Sequence, residues 1–526
     1  MYKRFYIPAT DTKGDQRKIL AISALFALAI LCFFCITVSW DSREYIDYAY
    51  LMTGVPNDSV YYRTMGYPLI MLISGVPWLN SLVGLILLQG IMGTLIPLII
   101  YKIMLNVDRR VAFYTALGSI ITLLPYTYIK CIWTELPYMF FQFIALYFAV
   151  VYFKTQRPPH IYAMTFAVFA MILIRPSATM IFMIFIPATI IFVPRNILHS
   201  LFALVLLIAS MLVSFAYHTE INCLPRTFTN PTYMTGKNLF FNVYLTSDGL
   251  MNKDNGPATE ELIHTVNDML YYHWDEVEEI TRPFDITDFQ RTFFYERFDG
   301  DPEGLTNYMF ESPALTYYRL MFYGMHKFIG PEKTDELLLN SSLELLRKHP
   351  FVGIKFFVRN LAGFFMPVQI GYKKHVDPNE RIGIQVSFLV VGSSRPRIDF
   401  MNGLPRKMIA EVKFDPLGEI IFYGRKSIKY IWTALFITVR PLIFILMLLG
   451  LFLNLKTKHR PIVFLLFGVV AYQALITSIF QEAASRFIHK TFLIEFMLAM
   501  IALSHFYKRI KGSQYEMADR DYEEPE

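Results

Sequence analysis

Charge is what this chain of 526 residues has least of: Asp, Glu, Lys and Arg make up 17% of it, against about 25% in an ordinary soluble domain. Together with 54% hydrophobic and 16% aromatic residues, this scarcity excludes a disordered chain, which is apolar-poor and charge-rich. Cysteine is scarce as well. The 4 present are too few for a disulfide scaffold. Cys32 and Cys35 form a C-x-x-C, but inside an apolar run, where Cys behaves as a small hydrophobe. The net charge of +6 is small for the length, and no dense basic stripe marks a nucleic-acid partner. No H-E-x-x-H, Gly-rich phosphate loop, G-x-S-x-G elbow or kinase signature occurs. No internal repeat stands out, which weakens a transporter reading.

What is abundant is long apolar runs. Ile19 to Val38 carries no charge and is long enough for a bilayer core of about 30 Å. It lacks a cleavage-site pattern and reads as a retained span. Lys3, Arg4, Lys13, Arg17 and Lys18 precede it, so the N-terminus is expected inside. Further spans are read at Leu82–Met104, Val111–Ile129, Leu136–Phe153, Ile161–Ile174, Ser177–Val193 and Ile197–Tyr217. Each basic cluster then falls on the inner side. Three more are read at Tyr430–Leu453, Ile462–Phe480 and Thr491–Tyr507, followed by Lys508, Arg509 and Lys511.

The expectation is an all-α polytopic membrane protein with about ten transmembrane helices. A mainly α-helical extracytoplasmic domain is inserted before the last three spans. The expected division is 1–217 as an N-terminal transmembrane module of seven spans with its first outer loop at 39–66, then 218–425 as the outer domain. Residues 426–510 make the C-terminal transmembrane module, and 511–526 a cytoplasmic acidic tail, expected to be disordered from Glu516 to Glu526. Within the outer domain, 351–370 carries Lys355 and Arg359 on an apolar run. A span there would put the later basic loops on the wrong side, so it reads as a helix in the membrane interface. Ile382–Gly392 is too short to span.

Ionisable residues at membrane depth need a reason, and here they gather on the outer side. They are Asp41, Glu44, Arg63, Lys130, Glu135, Arg175, Glu482, Arg486 and His489, with Tyr67 in the Gly66-Tyr67-Pro68 step. Arg440 before Pro441 lies inside a span, where a central Arg costs about 2.5–3.5 kcal/mol. Either it faces a wet, anion-holding cavity, the favoured reading, or the span starts late and Arg440 is interfacial. Asp41 has two readings of equal weight. One is a general base, or a metal ligand with Glu44 suited to Mg or Mn. The other is a capping box of Asp41 with Glu44 that opens a short helix. Tyr45, Tyr48, Ala49 and Met52 would then form a stripe lying on the bilayer. Arg63 could hold a phosphate through its planar fork or snorkel to headgroups. Glu135 could accept from a substrate or mark a helix start, and Arg175-Pro176 could be a turn alone.

The order of these residues has a likeness. Asp41-Ser42-x-x-Tyr45 is followed by Arg63-x-x-Gly66-Tyr67-Pro68-Leu69, Thr134-Glu135, Arg175-Pro176, His349-Pro350 and Arg486-Phe487. This series resembles the membrane glycosyltransferases of the GT-C fold, in particular the protein O-mannosyltransferase-like and lipid A aminoarabinose transferase-like group. The likeness spans 1–217 and roughly 348–508. It implies a transferase taking a sugar from a polyprenyl-phosphate carrier to a glycan, lipid or protein acceptor, typically with inversion. Asp41 would be the base and Glu135 the second acidic position, with Arg63, Arg175 and Arg486 on the carrier phosphate. It also implies a multi-pass protein of the bacterial cytoplasmic membrane with an extracytoplasmic site. Two positions depart from the pattern: Ser42 follows Asp41 where Asp-Glu or Asp-Asp is common, and Phe487 replaces Tyr. A strict metal requirement does not follow. The alternative from another class is a transporter or flippase of a lipid-linked anion, using the same arginines without a base.

Overall fold

The computed structural model describes residues 12–55, 63–222, 235–272, 301–313, 315–365, 368–370, 384–386, 403–415, 422–480 and 485–520. The N-terminal part runs through α1 (Thr12–Phe33), α2 (Trp40–Leu51), α3 (Gly66–Ile73), α4 (Val76–Leu79) and α5 (Val83–Met104). It continues with α6 (Arg109–Ile121), α7 (Leu124–Thr127), α8 (Glu135–Thr155), α9 (Pro158–Ile174), α10 (Phe182–Phe192) and α11 (Ile197–Asn222). Next come α12 (Thr235–Thr246), α13 (Pro257–Tyr272), α14 (Pro302–Glu311), α15 (Leu315–Phe328), α16 (Pro331–Lys348) and α17 (Pro350–Phe365). A short antiparallel pair, β1 (Val368–Ile370) with β2 (Ile384–Val386), follows. The chain closes with α18 (Arg406–Lys413), α19 (Phe422–Asn454), α20 (Arg460–Phe480) and α21 (Ser485–Arg520).

Among the described residues, 7 helices are long and apolar enough to cross a membrane: α1, α5, α8, α11 and the apolar parts of α19, α20 and α21. Pro158–Ile174 and Pro176–Phe192 are apolar but shorter. In α8 and α20, 61% of the apolar window is buried inside the protein, against 22% in α1 and α11. The first two are core helices; the other two turn most of their apolar surface outward, as lipid-facing spans do.

Three expectations change. Val111–Ile129 is not one helix: α6 stops at Ile121, Leu123 takes φ +56°, and the single turn of α7 opens on Leu124-Pro125. A proline ring cannot continue a helix without losing a backbone hydrogen bond. The helix at 351–370 ends at Phe365, and Val368–Ile370 is a strand; the intervening Pro367 is the sequence signal for that stop. The tail expected to be disordered from Glu516 is helical through Arg520, where Glu516, Met517 and Ala518 are good helix formers.

The chain divides into two compact units. One comprises Met1–Ile221, Phe388–Gln473 and Ile488–Glu526; the other comprises Asn222–Ser387 and Ala474–Phe487. In the first, α8 packs on α9 and α5, and α5 on α1 and α6. Asp108 caps α6, its Oδ1 accepting from the amides of Arg110 at 2.9 Å and Val111 at 3.2 Å. In the second unit, α16 packs on α12 and α13. Glu344 caps α13, accepting from the amides of Ala258 (2.9 Å) and Thr259 (2.7 Å) and from Thr259 Oγ1 (2.8 Å). Along α17, Val352, Phe356, Asn360 and Phe364 are buried, while Phe351, Ile354 and Val358 are exposed. Such a helix presents apolar surface on two sides.

Candidate functional site

The site begins with two loops clipped together. After α1 the chain is extended, and Thr37 forms a one-residue parallel bridge with Cys131. Its amide donates to the carbonyl of Lys130 at 2.8 Å, and the Ile132 amide donates back to Thr37 at 3.1 Å. The start of α2 is tied to the same loop. The Ser39 amide donates to Ser42 Oγ at 2.9 Å, Ser42 Oγ donates to the Ile132 carbonyl at 2.8 Å, and Trp133 Nε1 donates to Ser39 Oγ at 2.8 Å. The cap of α2 is therefore the Ser39–Ser42 pair, not Asp41 with Glu44. A hydroxyl serves an N-cap as well as a carboxylate does, so Asp41 and Glu44 are left for other partners.

Their partner is Arg63. Its Nη2 donates to Asp41 Oδ1 at 2.5 Å and its Nε to Glu44 Oε2 at 2.5 Å. The guanidinium stands 5.0 Å from the centre of the Tyr45 ring, a cation–π distance. Burial opposes the charge on Arg63, but Asp41 and Glu44 outweigh it and hold the guanidinium well above its usual range. Burial also pushes the Tyr45 phenol up. Arg63 is pinned from behind. Thr64 Oγ1 donates to the Ile174 carbonyl at 3.0 Å. Gly66 lies so close to α9 that a Cβ would stand 2.5 Å from the Leu173 carbonyl carbon. Any side chain there would push the Arg63 segment off the end of α9.

The residue after α9 is Arg175. Its Nη1 donates to Glu135 Oε1 at 2.7 Å and to Thr134 Oγ1 at 3.0 Å. Glu135 opens α8, at the positive end of the helix. The fields of both arginines, Asp41 and Glu135 all act on Tyr45, so the two ion pairs form one cluster. They differ in access: the Asp41 side chain keeps 28% of its surface, Glu44 12% and Glu135 3%. Only Asp41 is open enough to meet a substrate directly.

The other expected residues are placed as follows. Tyr67 packs edge-on against Tyr45, its hydroxyl donating to Gln89 Oε1 at 2.8 Å. Gln89 Nε2 in turn donates to the carbonyls of Ile129 (2.8 Å) and Cys131 (3.1 Å), so Tyr67 braces the site. The stripe of Tyr45, Tyr48 and Ala49 is buried in protein rather than laid on a bilayer. Lys130 is half-buried and contributes its carbonyl to the loop bridge. Arg486 and His489 lie on the first turns of α21, with side chains outside the described residues, as is the whole of Glu482. Arg440 does not face a wet cavity. It is fully buried, its Nη2 3.1 Å from Glu495 Oε1.

Two residues went unread in the sequence. Glu495 sits in an apolar run as the partner of Arg440. Lys490, fully buried at the start of the last span, stands 5.2 Å from the centre of the Tyr138 ring. Tyr138 lies one turn along α8 from Glu135, and its hydroxyl accepts from Gln473 Nε2. The signal for Lys490 was a cation directly before the apolar run that begins at Thr491.

The Asp41–Glu44 pair as built does not fit a Mg or Mn ion. Among the described residues no third His, Cys, Asp or Glu joins it, and Arg63 already stands at the cationic position between the two carboxylates. The chemistry open to this arrangement is anion binding at a guanidinium beside an accessible carboxylate.

Scans of family models, curated proteins and solved structures found no match to this chain. The fold and the ion pairs together define an all-α, multi-pass membrane protein with buried and half-buried Arg–carboxylate pairs, an architecture suited to catalysis or transport at a membrane.

Proposed function

We propose that the chain is a GT-C-type membrane glycosyltransferase. It would move a sugar from a polyprenyl-phosphate carrier to a hydroxyl of an extracytoplasmic glycan, lipid or protein. The observation that carries the reading is the Asp41–Arg63–Glu44 cluster, with Asp41 released from capping duty by Ser39 and Ser42. Arg63 is suited to a phosphate through its fork, and it can stabilise charge as that builds on the leaving group. Asp41 is the accessible carboxylate beside it. In a single displacement the acceptor oxygen attacks the anomeric carbon and its proton passes to Asp41. The bond from that carbon to the phosphate oxygen breaks, its electron pair leaving with the phosphate. The basic flanks of the spans support an extracytoplasmic site with both termini inside.

The test is Asp41→Asn in the full chain, in membranes supplied with a polyprenyl-phosphate sugar and envelope acceptors. Glycosyl product is read by mass spectrometry. Loss of product with an unchanged melting temperature supports the reading; undiminished product sinks it. Lipid movement across the membrane with no glycosyl product, in wild type and variant alike, would identify a transporter.

A further inference from the structure

Arg63 and its two acids form a site whose anion position is already occupied from within. The guanidinium donates from Nη2 to Asp41 and from Nε to Glu44. We propose that a phosphate monoester or diester displaces Asp41, and not Glu44, from Arg63, so that arrival of the phosphate-bearing ligand is what frees Asp41 to take a proton. The role of Asp41 as base rests on the glycosyl-transfer reading. The exchange itself rests on geometry.

Three features set its direction. First, the arginine is the fixed member. Tyr45 stands under the guanidinium, Thr64 is bonded to the end of α9, and Gly66 sits flush against that helix. A competing anion must come to Arg63, since Arg63 is held in place. Second, the two carboxylates are unequal. Asp41 keeps 28% of its side-chain surface and meets the terminal Nη2; Glu44 keeps 12% and meets Nε, nearer the stem. An incoming ligand reaches the Asp41 side first, while Glu44 holds the guanidinium plane from the other edge. Third, release needs no hinge. The backbone of Asp41 is held in α2 by Ser39, Ser42 and Trp133, so rotation of one short side chain completes the exchange.

A phosphate gains by the swap, because it can present two oxygens to the planar fork, at whose Nη2 it replaces Asp41 Oδ1. While Asp41 Oδ1 accepts from Arg63, the bond fixes the direction in which the carboxylate points; once displaced, the side chain can turn toward an acceptor hydroxyl. The result is a favoured order, phosphate-bearing donor first and acceptor deprotonation second. Glu44 is a positioning residue in this scheme, acting through Arg63 and never on the reacting atoms.

The exchange is tested by equilibrium binding to the detergent-purified full chain. The probes are farnesyl phosphate, inorganic phosphate and, as a control without phosphate, farnesol. Asp41 and the ligand compete for one guanidinium, so Asp41→Asn should bind farnesyl phosphate about tenfold tighter than wild type. Glu44→Gln keeps an oxygen acceptor for Nε and leaves Nη2 untouched, so it should change binding by less than about twofold. Arg63→Gln should lose binding, and farnesol should be indifferent to all three. This difference separates competition at Nη2 from a general loss of negative charge, which tightens binding equally in both acid variants and overturns the exchange, and from general damage to the site, which weakens binding in every variant. Asp41→Ser serves as the second variant should the Asn chain not fold. Tightening confined to farnesyl phosphate assigns a lipid headgroup; tightening shared by inorganic phosphate assigns the phosphate itself, and either supports the exchange. Equal or weaker binding by the Asp41 variants overturns it, whether or not wild type transfers sugar. Conversely, tightening in a protein that makes no glycosyl product leaves the exchange standing and removes the transferase.

Discussion

Arg63 and Arg440 are built from the same parts and put to opposite uses. Each guanidinium stands over aromatic rings, Tyr45 at 5.0 Å for Arg63 and Phe436 and Phe492 at 5.5 and 5.3 Å for Arg440. Each faces a carboxylate. At Arg63 the partners lie on the first turns of a short helix and remain partly open. At Arg440 both partners are fully buried, on α19 and α21, with Thr491 Oγ1 donating to Glu495 Oε1 at 2.9 Å. Those two helices touch closely at Gly450, where a Cβ would stand 2.2 Å from the Leu498 carbonyl oxygen. An open pair can exchange partners. A pair sealed between spans can only hold them together, because neither charge can leave without the cost of an unpaired ion at membrane depth. Access, rather than charge, distinguishes the two arginines.

The sharpest way to break this contrast is to change one member of each pair. Asp41→Asn should reduce sugar transfer about 100-fold or more, the range lost with a general base, with an unchanged melting temperature in detergent. Arg440→Leu should do the reverse. It leaves Glu495 buried without its cation and should lower stability by about 3–5 kcal/mol, with transfer per folded molecule unchanged. The double variant Arg440→Leu, Glu495→Leu should regain most of that loss in the same unfolding measurement. A catalytic defect in the folded double variant would show that the buried pair is not merely a clamp.

The second unit offers titratable groups outside the Arg63 cluster. Burial pushes the His326 imidazole down to about 4. Because the unfolded chain binds its proton near 6.5, stability should be full above that pH and fall between about 6.5 and 4, by up to about 3 kcal/mol. His326→Phe should flatten that slope in a pH series of thermal melts. The smallest effect is expected at Glu344. Burial opposes its charge, but the amides of Ala258 and Thr259 hold the carboxyl below its usual range. Its stabilisation is present above the unfolded value and is lost as pH falls through the lowered one. Glu344→Ala should cost about 1–2 kcal/mol, measured by denaturant unfolding, and should leave transfer untouched.

Much of this was legible in the residues. Uncharged runs marked the spans because a bilayer demands length and apolarity and little else. The neighbourhood of Asp41, Arg63, Glu135 and Arg175 could be read because charged residues next to such runs are rare. The partnerships could not be read. Glu495 lies 55 positions from Arg440, and no spacing joins residues on two separate helices. The cap of α2 could not be read because Asp41-x-x-Glu44 is the better pattern on sequence than Ser39-x-x-Ser42; the carbonyl of Ile132, contributed by a distant loop, favours the second. The break in Val111–Ile129 had its signal in Pro125, which was outweighed by the apolar character of the run.

The bridge between Thr37 and Cys131, with the bond from Thr64 to Ile174, also bears on assembly at the ribosome. Every charged group of the Arg63 and Arg175 pairs, and every hydrogen bond described here that braces them, comes from residues 37–175. Synthesis of that stretch is complete before the spans at Pro194–Glu220, Tyr430–Asn454, Arg460–Phe480 and Lys490–Tyr507 are made. The order of insertion into the bilayer therefore allows the charge cluster to close around itself early, its acids and arginines neutralising one another before the later spans arrive to surround them.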